Sequence, residues 1–402
     1  MVGLKEAKCL WCVDMDFDPQ SHELQDDPYP VYRTLRETHP VFYSPQGRFW
    51  AISRYDDVLG ALGRPEMFSS RRSLGEPAPD DPSAYMPMIV ILDPPRHDEL
   101  RALVSRAFTP RRIAALEPRI RAITAELIDG FITHGRCDLF RELSAPLPTI
   151  VIAELLGVPP ADREMFKEKS RVIASSVSPG KAGGSSVAAF ELAAYLGEMF
   201  DEKRWRPGDD LMSALLAAEI DGRRLARPEL LGFAFLLLFA GNETTTNLIS
   251  NATVLLDRFP DQRRLLADNP GLIPTAVEEF LRFDSPVQGV DRIVAADVRV
   301  HGQELRRGDK VFLVLASANR DERRIPDPER FDVRREPNRH LSFGLGSHFC
   351  LGASLARLEA RVVWEELLAR IADFKVAGPT ERLRSGIFRG LLALPIEFEA
   401  RR

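Results

Sequence analysis

Phe343-Gly-Leu-Gly-Ser-His-Phe-Cys350-Leu-Gly352 is the stretch on which the reading of this chain turns. It sets one thiol at the end of a loop whose glycines let backbone approach closely, just before a helical pattern opens at Leu351. A helix N-terminus and the peptide N–H groups around it favour an anion at that point, and a bound metal would strip the thiol of its proton outright. A lone cysteine in a glycine-rich turn is more often a buried, inert side chain, so the loop needs support from the rest of the chain.

Outward from that loop, the 402 residues are 45% hydrophobic and 28% charged, with 26 Gly and 30 Pro, which is the composition of an ordinary globular protein and excludes disorder or a collagen-like repeat. Lys plus Arg is 54 against 59 Asp plus Glu, a formal charge of −5, which argues against chain-wide attraction to nucleic acid or to an anionic membrane. Four cysteines, Cys9, Cys12, Cys137 and Cys350, make no disulfide framework and point to a reducing, cytoplasmic compartment. The longest apolar run, Leu230 to Gly241, falls short of the ~20 residues that cross a bilayer and reads as a buried helix. The start of the chain has no signal-peptide pattern, so neither a leader nor a membrane anchor is expected.

Helical periodicity is expected over Pro28–His39, through most of 96–283, and over 351–371. Period-two alternation predicts a hairpin over 41–53 around Pro45-Gln46-Gly47, a small β region over 287–316 with a His301-Gly302 turn, and a strand-like tail within 385–400. The proline-rich stretch Glu66–Pro95 reads as a long loop of the kind that covers a site, and Ser175–Ser186 as a flexible lid. Because α-rich and β-rich parts interleave at both chain ends, residues 1–402 are expected to form one mainly α domain with small β-sheets (α+β).

Axial ligation of haem iron through sulfur needs a thiolate placed as Cys350 is. With every defined position filled, 343–352 resembles the haem-binding signature of the cytochrome P-450 family, Phe-Gly-x-Gly-x-His/Arg-x-Cys-x-Gly, in its soluble bacterial form. The resemblance extends from about Pro28 to Glu399. It implies a single P-450-type domain binding haem b, iron protoporphyrin IX, with Cys350 as the iron ligand, Phe343 packed beside it, Gly352 in the cofactor loop and His348 on a haem propionate. His97 and Arg101, four apart on one helical face, and Arg292 resemble the family's other propionate ligands. Alone, each would pass for a solvated cation.

Three further patterns agree. In Ala240-Gly-Asn-Glu-Thr-Thr245, placed at the end of the apolar helix, hydroxyls that bond back one turn are a recipe for opening the helical ladder. The segment resembles the family's oxygen-activation motif, which implies proton delivery by Glu243 and Thr244. Glu278-Glu-Phe-Leu-Arg282 matches Glu-x-x-Arg, and Pro328-Glu-Arg-Phe331 the later segment whose arginine joins it, so Glu279, Arg282 and Arg330 are expected to form a buried network under the cysteine loop. The arginine-rich region with Arg96, Arg101, Arg106, Arg111, Arg112, Arg119 and Arg121 reads either as a solvated surface or, by resemblance, as a docking face for a ferredoxin-type redox partner served by a nicotinamide-dependent reductase.

The implied activity is a monooxygenase that uses O2 on a hydrophobic small-molecule substrate. By resemblance the pocket comprises Phe235, Leu236, Phe239 and Ala240, with Val287, Ile387 and Phe388 from loops and Met88 and Ile89 from the covering stretch. A peroxide-driven peroxygenase and a non-enzymatic haem sensor or carrier remain as alternatives. Cys9-Leu-Trp-Cys12 has half of a zinc spacing with no second ligand pair, Cys137 reads as a small buried side chain, and Gly180, Gly183 and Gly184 make no phosphate loop.

Overall fold

Apolar residues spaced for helices dominate the middle of the chain, and they are realised as a helical lobe. The computed structural model describes residues 17–71, 86–166, 168–169, 185–371 and 373–401. Its main helices are α1 (Tyr29–Thr38), α2 (Tyr55–Leu62), α3 (Arg96–Ala107), α4 (Glu117–Phe131), α5 (Pro146–Leu156), α6 (Ser185–Trp205), α7 (Leu211–Ala217), α8 (Arg227–Arg258), α9 (Ile273–Phe283) and α10 (Ala353–Arg370). Helix α10 packs on α4, α8 and α9, and α8 on α5. The core they share buries Trp364, Phe280, Phe131 and Leu256 almost completely.

Helix α8 is the axis of this lobe. Glu229 folds back to accept from the Ala226 N–H at its start and is also paired with Arg96 and Arg223, which fastens α8 to the beginning of α3. The helix then runs unbroken for 32 residues, so Ala240–Thr245 sits in its middle and not at an end. The apolar run Leu230–Gly241 continues into Thr245–Leu256, which is buried on several sides by α5, α9 and α10 and so lacks a clean amphipathic signal. A Cβ on Gly232 would stand 2.6 Å from the Pro87 carbonyl oxygen; only glycine lets the covering stretch lie on the helix there.

The β lobe is built around a five-stranded sheet. Strands β1 (Val41–Ser44) and β2 (Phe49–Ile52) form the expected hairpin, with Val41 opposite Ile52. With β3 (Phe68–Ser69), β4 (Arg136–Asp138), β5 (Val290–Val294) and β6 (Lys310–Leu313) in chain order, the sheet reads β1-β2-β6-β5-β3. Strand β6 is parallel to β2 and antiparallel to β5. Val298–Val300 turns at His301-Gly302 to pair with Gln303–Leu305, leaving β6 for the main sheet; both turn residues have φ > 0, as a tight hairpin requires. Near the C-terminus β7 (Asp373–Val376), β8 (Pro395–Glu399) and β4 make a second sheet. The short strand β4 follows the break at Gly135 in the otherwise helical pattern.

Met88 and Ile89 are placed where the covering stretch meets α8, Ile89 opening a 3-10 turn to Ile91. Residues 72–85 of the long loop, most of the Ser175–Ser186 stretch with its three glycines, and Cys9 and Cys12 lie outside the described residues. Cys137 lies in β4 and is buried, and burial pushes its thiol pKa up. Among the described residues, no helix is long and apolar enough to cross a membrane.

Candidate active site

The cysteine loop owes its shape to two glycines. Gly344 and Gly346 take φ of +67° and +69°, the left-handed region that side chains avoid, and the turn closes with Cys350 N–H donating 2.9 Å to the Phe343 carbonyl. Gly352 then caps α10. Burial pushes the Cys350 thiol pKa up, against the N–H groups of Gly352 and Ala353 that point at the sulfur and the guanidinium groups of Arg101 and Arg357. That environment keeps a proton on the free sulfur and readies hydrogen bonds for an anionic one.

Helix α9 braces the loop from below. Glu278 accepts from Arg357 at 2.7 and 2.8 Å and from His340 at 3.1 Å; although burial pushes the other way, those partners hold its carboxyl at about 2. Arg357 also lies over the Phe343 ring. Glu279 and Arg282 are both fully buried and joined by two hydrogen bonds of 2.7 and 2.8 Å. Arg330 does not complete this pair with its side chain: its guanidinium is 62% exposed beside Asp332, and only its backbone carbonyl accepts from Arg282. Arg335 takes the expected place, its Nε 3.3 Å from Glu279, with Asn338 and the Asp332 N–H as further donors. The reason is local anchoring: the carbonyls of Pro326, Asp327 and Arg330 hold the Arg335 guanidinium beside Glu279, while Asp332 draws that of Arg330 toward solvent.

Above the loop, two imidazoles and two guanidinium groups gather. The rings of His97 and His348 are 4.2 Å apart, and Arg292 on β5 and Arg101 on α3 act electrostatically on His348. Burial, helped by His97 and Arg292, pushes the His348 imidazole down to about 4. Arg292 is buried and forms no ion pair among the described residues, donating only to its neighbour's carbonyl. Arg101 donates to the Phe349 carbonyl at 2.7 Å. Their one carboxylate neighbour acting on His348, Asp93, is already engaged by Ser69 and the Ser70 N–H. His97 Nδ1 lies 2.8 Å from the Asp98 carboxylate and His348 Nε2 3.1 Å from Ser70 Oγ, so it is the two guanidinium groups that are left without an ion pair among the described residues.

On α8, Phe235, Leu236 and Phe239 are half-buried and Ala240 is exposed, although Leu237 and Leu238 between them are buried. A face uncovered in the middle of a central helix is unusual, since such helices normally bury every side. Val287, Ile387 and Phe388 are likewise half-buried, Val287 and Phe388 are bridged, and Phe388 meets Phe239 edge to face at 6.1 Å. Thr244 Oγ1 donates 2.8 Å to the Ala240 carbonyl, the back-bond expected from the sequence. Glu243 accepts 3.2 Å from Asn247 Nδ2, and burial raises its pKa against that bond.

Sequence reading missed Glu359 on α10. It is 1% exposed with Thr245 as its polar neighbour, no cation pairs with it among the described residues, and burial, against the Thr245 hydroxyl, pushes its pKa up to about 8. The signal was available: Glu359 falls among Leu355, Leu358, Val362 and Val363 on the buried side of α10. An acid whose folded pKa exceeds its unfolded value near 4.5 binds its proton more tightly when folded, so its contribution to stability falls as pH rises from about 4.5 to 8. The variant Glu359→Gln is expected to flatten the pH dependence of Tm over that window and to be more stable than the parent at pH 8 by up to about 4 kcal/mol. Equal slopes of Tm against pH in the two proteins would refute the assignment.

The arginine-rich region is less bare than its sequence. Arg96, Arg112, Arg119 and Arg121 all have carboxylate partners, leaving exposed Arg106 and Arg111 without an ion pair among the described residues.

A thiol readied by two N–H groups, two guanidinium groups without an ion pair among the described residues and an uncovered apolar helix face together fit a flat, apolar, dianionic macrocycle that takes one sulfur ligand. Among the described residues no group of three or more His, Cys, Asp or Glu could hold a metal without such a macrocycle. This is the donor set of a haem-thiolate protein. A family model for Cytochrome P450 matches residues 271–386. A vitamin D(3) 25-hydroxylase from Pseudonocardia autotrophica is 44% identical over 379 residues, spanning 92% of this chain and 93% of the relative. The structure of cytochrome P450 CYP109Q5 from Chondromyces apiculatus superposes with a TM-score of 0.90 at 41% identity, covering 96% of this chain and 99% of that one. CYP109E1 from Bacillus megaterium, in complex with testosterone, does so at 0.85 and 39% identity, covering 92% and 99%. The chain belongs to the cytochrome P450 family, its relatives are monooxygenases and hydroxylases, and the family's cofactor is haem.

Proposed function

We propose that this protein is a cytoplasmic haem b monooxygenase that inserts one atom of O2 into a hydrophobic organic substrate, with electrons from a ferredoxin-type partner and its nicotinamide-dependent reductase. The observation that carries this is Cys350 at the start of α10, its sulfur faced by the N–H groups of Gly352 and Ala353. In this reading Cys350 is the iron ligand, and His97, Arg101, Arg292 and His348 bind the two propionates. Arg101 and Arg292 supply the charge, and His348 supplies a ring N–H donor. Bound there, haem b supplies reductive activation of O2, with thiolate donation favouring O–O cleavage.

The protein's own part is orientation and protons. Glu243, its pKa raised by burial, holds a proton closer to neutral pH than an ordinary carboxyl does, and Thr244, one residue on, can swing its hydroxyl from the Ala240 carbonyl to pass it. This acid–alcohol pair favours O2 over a peroxide-driven route. Phe239, Ala240, Val287, Ile387 and Phe388 present an apolar wall to the substrate, in keeping with the vitamin D(3) and the testosterone named for two relatives. Arg106 and Arg111 are the cations free to meet an acidic redox protein.

A strongly red-shifted Soret band in the reduced, carbon-monoxide-bound protein, and substrate-dependent oxidation of reduced nicotinamide cofactor with a ferredoxin and its reductase, are the expected results. A haem protein that binds the candidate substrates yet never turns over would overturn the enzyme assignment. Thr244→Ala should leave cofactor oxidation largely intact while product per electron pair falls several-fold and peroxide release rises; unchanged coupling would remove Thr244 from proton delivery.

A further inference from the structure

Arg357 falls in the second turn of α10, and its guanidinium stands 4.5 Å from the centre of the Phe343 ring. Phe343 is the residue whose carbonyl accepts from the Cys350 N–H and closes the cysteine turn. A cation is thus stacked on the side chain that packs the loop, and its charge acts on the Cys350 sulfur.

That cation cannot wander. Glu278 on α9 accepts from Arg357 Nε at 2.7 Å and from Nη2 at 2.8 Å, one bond to each carboxylate oxygen, which is the fork-to-fork geometry that fixes a guanidinium in one orientation. The oxygen that takes Nη2 also accepts from His340 Nε2 at 3.1 Å. His340 Nδ1 accepts in turn from the Ser342 N–H, the pattern of a neutral imidazole whose one proton is on Nε2. Glu278 stays ionised, its carboxyl held at about 2, so the clamp contains one charge of each sign. Of the two, it is the guanidinium whose charge registers at the sulfur. Arg101 acts there as well, but it is assigned to a propionate that would take up its charge; Arg357 has no such second role.

We infer that Arg357 is a positioning residue for the iron–thiolate bond: clamped by Glu278 against the Phe343 ring, its charge restrains electron donation from the Cys350 sulfur and so sets the reduction potential of the bound haem. This rests on the haem-thiolate reading and adds to it which groups of the chain decide how readily the first electron is taken up. A nearby positive charge favours the ferrous state, which carries one electron more than the ferric, and a nearby negative charge opposes it.

Potentiometric titration of the haem-loaded, substrate-free protein tests this without turnover. Arg357→Gln should disfavour reduction by about three- to tenfold in the reduction equilibrium, tenfold being about 59 mV for a one-electron couple. Arg357 is 38% exposed, and solvent screening holds the effect to that size. Arg357→Lys keeps the charge and should recover most of the shift, whereas Glu278→Gln should move the potential the other way. The C–O stretch of the reduced carbon-monoxide complex gives a second readout: a sulfur that donates more leaves more charge on the bound ligand, so the frequency should fall in Arg357→Gln and rise in Glu278→Gln. A merely structural brace would not separate these variants by sign, because losing either partner breaks the same contact. Potentials that shift in the same direction in both glutamine variants, or an Arg357→Lys protein displaced as far as Arg357→Gln, would overturn the inference. Should Glu278→Gln fail to yield haem-loaded protein, the comparison of Arg357→Gln with Arg357→Lys decides alone. A parent that shows the thiolate spectrum and fails these comparisons loses the role of Arg357 and keeps that of Cys350, while a parent without that spectrum loses the thiolate reading itself.

Discussion

Replacing Cys350 by alanine should abolish the red-shifted Soret band of the reduced carbon-monoxide complex and lower product formation by roughly three orders of magnitude or more. The loop itself should survive. Its turn is closed by backbone, Cys350 N–H to the Phe343 carbonyl, and its strained positions are occupied by Gly344 and Gly346, none of which an alanine disturbs. Circular dichroism should therefore be unchanged and Tm of the haem-free protein within a few degrees of the parent, since loss of one sulfur from this half-buried position removes little packing. What is lost is the one anion toward which the N–H groups of Gly352 and Ala353 point. A Cys350→His variant sharpens the test: it restores a ligand for iron through nitrogen but no thiolate, so haem content should return without the red-shifted band. A Cys350→Ala protein that keeps the band would locate the sulfur elsewhere, and Cys137, buried in β4 with a raised pKa, is a poor substitute.

Short-range chemistry was the part of this protein that could be read directly. The cysteine loop, the Thr244 back-bond, the β1–β2 hairpin and the Glu279–Arg282 pair each depend on residues a few positions apart, where steric rules and hydrogen-bond geometry act locally. Long-range partnership was not legible in the same way. The sequence pattern points to Arg330 as third member, and only the carbonyls of Pro326, Asp327 and Arg330, far from Glu279 in sequence, bring Arg335 to that place instead. The end of α8 was misplaced because burial on several sides erases the polar stripe that periodicity needs. Likewise, the arginine-rich surface looked bare because its carboxylates come from elsewhere: Glu154 for Arg119, Glu365 and Glu366 for Arg121, Glu229 for Arg96.

Within the brace under the cysteine loop, the decisive contrast is between Glu279→Ala and Arg330→Ala. Glu279 receives five donors: two from Arg282 and one each from Arg335, Asn338 and the Asp332 backbone. Removing the carboxylate leaves Arg282, fully buried, with no counter-charge, and leaves Arg335 nearly so. Stranding one buried charge costs about 3–5 kcal/mol. Set against a total stability of roughly 5–15 kcal/mol, that is enough to lose soluble, haem-loaded protein at growth temperature. Glu279→Gln should be nearly as damaging, because an amide can accept from Arg282 but cannot neutralise two guanidinium groups. Arg330→Ala should instead stay within about 0.5 kcal/mol of the parent, since its guanidinium is mostly in solvent and the carbonyl that receives Arg282 is retained. Arg335→Ala should fall between these limits, removing a side chain 13% exposed yet leaving the Glu279–Arg282 pair intact. Soluble yield, haem-to-protein ratio and Tm read all four variants. Were Arg330→Ala to prove as destructive as Glu279→Ala, the third arm of the network would belong to Arg330 after all, and the placing of Arg335 against Glu279 would be wrong.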